Sequence, residues 1–88
     1  MATRQKKLLP AEVVMALHDV LHLEDIQQNG YGQVIFTRCG RPYPDMETLE
    51  HFTRRVLEET QKFEPSLMGM GKYEGPNNTV RYKTVIQI

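Results

Sequence analysis

The chain has no net charge, only one cysteine, no internal repeat, and no apolar run near the roughly 18 residues that a bilayer-crossing helix needs. A single thiol, Cys39, excludes an internal disulfide and fits a reducing compartment. The N-terminus lacks the apolar stretch of a secretory leader, so the expected location is cytoplasmic, with no membrane contact. The missing repeats and low-complexity tracts remove solenoid and fibrous classes.

What is present is an ordinary globular composition, 40% apolar and 25% charged. Eighty-eight residues make one small domain, of a size that buries only about 60 to 65% of its unfolded surface. Its stability is expected to be marginal unless a partner adds to it. The charges cancel in sum but not along the chain. Residues 1–9 carry Arg4, Lys6 and Lys7, residues 10–64 hold a net −5, and residues 65–88 a net +2. The organisation this suggests is a flexible basic tail over 1–9 and a single α+β domain over 10–88.

The clearest periodicity runs from Asp45 to Phe63. Met46, Leu49, Phe52, Thr53, Val56, Leu57, Thr60 and Phe63 recur at three- and four-residue intervals, the spacing of one helical face. Glu47, Glu50, His51, Arg54, Arg55, Glu58 and Lys62 fill the opposite face. Pro44-Asp45 supplies a start signal, because the carboxylate can accept from free N–H groups of the first turn. A second helix is expected from Pro10 towards Gln28, with Val13, Val14, Leu17, Val20 and Leu21 as its stripe. Its pattern degrades after His22, so Leu23 to Gln28 reads as a separate turn and Gly30 as a left-handed cap.

Gln33 to Cys39 is rich in β-branched and aromatic residues and reads as a strand. Its apolar residues fall on both faces, which suggests a central strand covered on two sides. Leu67–Glu74 and Thr79–Ile88 read as a hairpin about Gly75-Pro76-Asn77-Asn78. With an even loop, Leu67, Gly69, Gly71 and Tyr73 join Val80, Tyr82, Thr84, Ile86 and Ile88 on the core face. Met68, Met70, Lys72 and Glu74 then join Arg81, Lys83, Val85 and Gln87 outside. An odd loop length flips this arrangement. The expected architecture is α+β in the order α-β-α-β-β, a three-stranded mixed or antiparallel sheet with a C-terminal hairpin, packed by two helices.

Few groups of residues point to chemistry. His18 and His22 stand four apart, the spacing of two imidazoles on one metal ion, but a catalytic zinc also needs a third ligand and a base, and Asp19 is only a poor substitute for the usual Glu. Two solvated histidines are the plainer interpretation. Cys39 has no His nearby in sequence to act as its base, which leaves it as a small buried hydrophobe. Gly30-Tyr31-Gly32 lies between helix and strand, the reverse of a phosphate loop. Around Gly40-Arg41, Pro42 and Pro44 remove N–H donors that an anion would need. No cofactor is expected.

Three functional classes follow in order. The first is a non-enzymatic protein-interaction or regulatory module, working as a homodimer through the sheet face or edge, with Met68, Met70, Val85 and Gln87 as contact residues. The alternative is a nucleic-acid-binding regulator that uses Lys6, Lys7, Lys72, Arg81 and Lys83. A metal-dependent enzyme comes third.

Overall fold

A computed structural model describes residues 7–40, 49–74 and 79–88. Within it two helices lie against one face of a four-stranded antiparallel sheet. Helix α1 (Ala11–Leu21) starts directly after Pro10, whose carbonyl accepts from the N–H groups of Val13 and Val14. It stops at His22, which takes a left-handed conformation (φ 53°) and donates its N–H to the His18 carbonyl. Leu17 and Leu21 are its buried residues. Strands β1 (Asp25–Gln28) and β2 (Gln33–Gly40) form a hairpin, with Gly30 and Gly32 in its turn at φ 88° and 96°.

Helix α2 (Leu49–Glu59) buries Phe52, Thr53 and Val56. It closes where the Thr60 hydroxyl turns back to donate to the Val56 carbonyl at 2.7 Å, and a single 3-10 turn, Gln61–Phe63, follows. Side-chain bonds of this kind compete with the helical ladder and favour an end. Strands β3 (Ser66–Glu74) and β4 (Val80–Gln87) complete the sheet in the spatial order β1-β2-β4-β3. Since β2 and β3 each run antiparallel to β4, they are parallel to one another, and α2 links them. Val34, Phe36, Phe52, Val56, Tyr82 and Ile86 fill the space between sheet and helices, with Leu9, Leu17 and Leu21 from the N-terminal side. The rings of Phe52 and Tyr82 meet at a tilt of 34° with centroids 6.2 Å apart.

The expected α+β class holds, but the sheet has four strands and the order is α-β-β-α-β-β. The segment expected as a turn after His22 contains β1. Its only large apolar residue is Ile26, so nothing in its own pattern marks it as a strand. It exists because the exposed edge of β2 pairs with it from Asp25↔Thr37 to Gln28↔Val34. Leu9, within the stretch expected as tail, is buried in the core, and its N–H donates to Gln28 Oε1 at 2.8 Å. Gly30 is left-handed as expected, but it serves a hairpin rather than a helix end. The Pro44-Asp45 start signal lies outside the described residues.

The largest correction concerns β3. Glu74 pairs with Val80, so an odd number of residues, 75 to 79, separates the partners. Met70, Lys72 and Glu74 therefore face the helices, and Gly69, Gly71 and Tyr73 face away, the reverse of the even-loop arrangement. A bulge between Leu67 and Gly69 flips the strand back, which returns Leu67 to the helix side opposite Ile86.

Two buried threonines join the helix to the sheet. Thr84 and Thr53 hydroxyls are 2.9 Å apart, and Thr53 also donates to Met70 Sδ at 3.3 Å, so the arrangement is completed by Thr84 donating to Thr53. Replacing either one by valine strands the other's oxygen. Thr53→Val and Thr84→Val should each destabilise by about 1 to 3 kcal/mol. The double variant should cost less than the sum of the two in urea unfolding; simple additivity would show that the hydroxyls do not act as a pair.

Candidate interaction surface

Because side chains alternate across a strand, the register fixes which residues share the face of the sheet away from the helices. Its central row runs Gln27, Ile35, Val85, Gly69 from β1 to β3, and the next runs Asp25, Thr37, Lys83, Gly71. Beyond it come Cys39, Arg81 and Tyr73, and at the other end Gln33, Gln87 and Ser66. No described helix packs on this face. Ile35, Thr37, Cys39 and Val85 are half-buried by their neighbours alone, not enclosed. Among the described residues β2 is central in the sheet, as expected, but covered on the helix side alone.

The residues singled out from the sequence divide between surfaces. Val85 and Gln87 lie on the open face, as expected. Met70 lies on the helix side, and Met68 sits at the bulge with no partner across the ladder. The odd connection turns Met70 inward, and the bulge takes Met68 out of the ladder. Of the basic residues, Lys83 is on the open face and Lys72 on the helix side. Arg81 is on the open face, but its guanidinium is taken up: Nε and Nη2 donate to the two Glu24 carboxylate oxygens at 2.7 and 3.1 Å, and Nη1 to the Thr79 hydroxyl at 3.0 Å. The Glu24 hydrogen bond is the main cause that holds its pKa above the ordinary arginine value, against a smaller lowering by desolvation. Lys7 is exposed on the N-terminal side, where its N–H donates to the Gly30 carbonyl, and Lys6 lies outside the described residues.

His18 and His22 do not share a helical face, because His22 has already left α1. Among the described residues no group of three His, Cys, Asp or Glu side chains is placed to hold a metal ion. No described helix is long and apolar enough to cross a membrane. A groove of about 410 Å³ between α1 and the end of α2 is lined by Val13, Ala16, Leu17 and Val20 together with Glu12, Glu59 and Lys62. No family model, curated protein or solved structure matches this chain.

In the described sheet the long edge strand is β3, not the C-terminal strand β4, which lies between β2 and β3. Leu67, Met68, Met70 and Tyr73 are each 45 to 58% exposed, and all four belong to β3. Its two glycines also differ from the turn glycine Gly32. There a Cβ would lie 2.5 Å from Gln87 Nε2 and 2.6 Å from the Ile88 carbonyl oxygen, whereas at Gly69 and Gly71 it would meet nothing within 4 Å. Nothing among the described residues obliges β3 to keep glycine at either place. In a strand interior each costs roughly 0.5 to 1 kcal/mol relative to alanine.

Gly71→Ala should therefore be neutral or stabilising by up to about 1 kcal/mol, and Gly32→Ala destabilising by more than that, in denaturant unfolding; equal losses would mean that β3 needs its glycine for folding. Glu24→Gln should release Arg81 and increase retention on a phosphate-bearing resin at low salt. Unchanged retention would show that Glu24 does not mask this cation.

Proposed function

We propose that this chain is a non-enzymatic protein-interaction module that works as a homodimer through its sheet. The observation that carries the reading is the sheet itself, on which no described residue packs against the outer face or pairs with the outer edge of β3. Contiguous apolar surface left outside a small monomer usually marks a contact. A protein of this size also gains more from a second subunit than a large one does, since its own core is small.

The nucleic-acid reading stands second. With Lys72 turned to the helix side and Arg81 engaged by Glu24, Lys83 is, among the described residues, the basic residue of the open face not held in an ion pair. Phosphate affinity grows with the number of cations that can act together, so this spread lowers it.

The test is molar mass by light scattering on a sizing column, at low micromolar concentration, in low and high salt, with the ultraviolet ratio recorded. A nucleic-acid-free dimer in both salts is the expected result. A monomer that carries nucleic acid and sheds it in high salt would replace this reading with the second.

A further inference from the structure

We propose that the second copy docks on the free edge of β3, strand to strand and antiparallel, with Gly71 opposite its own counterpart, so that the two four-stranded sheets become one continuous sheet. This rests on the reading that the chain self-associates, and it assigns the contact to the edge rather than to the open face.

The two edges of the sheet differ in kind. β1 is four residues long, with Asp25 and Gln27 exposed, and a short charged edge is how natural sheets discourage strand addition. β3 is nine residues long, contains no proline, and among the described residues is paired on one side only. Its bulge disturbs the Leu67–Gly69 end, while from Gly69 to Glu74 its ladder with β4 is regular. The regular part leaves a row of backbone donors and acceptors that another strand can use.

The exposed side chains favour an added strand over a stacked sheet. Leu67 and Met70 emerge on the helix side of β3 and Tyr73 on the open side. A strand alongside covers both sides at once, whereas a copy stacked on the open face reaches Tyr73 and leaves Met70 in water.

Register follows from the residues themselves. A two-fold axis normal to the sheet keeps both open faces on one side and pairs residues of like orientation. With Gly71 on that axis, Tyr73 of each copy stands opposite Gly69 of the other, where its ring covers bare glycine backbone. Lys72 then stands beside Met70 and lays its aliphatic stem along it with the ammonium in solvent. Centring the pairing on Lys72 sets lysine against lysine. Centring it on Met70 runs the ladder into the bulge, and centring it on Tyr73 sets Met70 against Pro76, which has no N–H to give.

The test uses two cysteine variants of the full chain in a Cys39→Ser background, Gly71→Cys and Val85→Cys. Gly71 has open space for a side chain, and circular dichroism checks that both variants fold. Opposed residues in an antiparallel pair are about 4.5 to 5.5 Å apart at Cα, within disulfide reach. On mild oxidation Gly71→Cys should form a linked dimer and Val85→Cys should remain single on a non-reducing gel. Tyr73→Ala, in the otherwise native chain, should weaken the dimer about tenfold, the effect of two cross-strand pairs lost. Linkage through Val85→Cys but not Gly71→Cys would overturn the edge assignment and leave self-association through the open face. A native dimer that neither cysteine links would also overturn it, and a native chain that stays monomeric would overturn both readings.

Discussion

Strand β4 is the constraint on which the remaining structure depends. It is paired along its whole length with β2 on one side and with β3 on the other, and its alternation sets the two faces of the sheet. Tyr82, Thr84 and Ile86 point to the helices and are buried; Arg81, Lys83 and Val85 point away and are not. A strand with one apolar and one mixed face can be covered only once without burying charge. Both helices accordingly pack on the Ile86 side. α2 lies over β3 and β4, and α1 lies beside it towards β1, tied to α2 by the Arg55 guanidinium on the Val20 carbonyl.

β3 is placed by two local irregularities that act in opposite senses. The odd connection to β4 turns Met70 inward, where its sulfur meets Thr53, and turns Gly69 and Gly71 outward. The bulge then inverts the strand again, so that Leu67 meets the core side next to Ile86. Without the bulge, Leu67 would share the open face with the glycines. As an edge strand, β3 has its inward side chains covered by α2 from above but by no described residue from the flank, and Met70 accordingly touches the core and is still 46% exposed.

The same geometry decides how the charges are used. A strand hairpin with Lys72, Arg81 and Lys83 suggests a basic patch, but a patch requires a shared face. The register separates Lys72 from Lys83, and Glu24, held next to β2 by its N–H on the Thr37 carbonyl, reaches across to occupy Arg81. What remains distinctive is apolar surface on a long free edge. This favours recognition of a strand over recognition of a phosphate.

The amino-acid sequence by itself determined the two helices, the strand character of 33–39, 67–74 and 79–88, and the inward residues of β4, because each depends on periodicity within one segment. The helix end near His22 was legible where the stripe fails, and the left-handed Gly30 from glycine itself, but the left-handed backbone of His22 was not. Only the tertiary structure decided the existence of β1, whose polar residues become a strand through pairing with β2, and the inclusion of Leu9 in the core. It also decided the faces of β3, and with them which methionine is packed and which lysine joins Arg81. Alternation says that neighbours point opposite ways, but the choice of side comes from the residue count between paired strands and from a bulge, and neither has a mark in the local pattern.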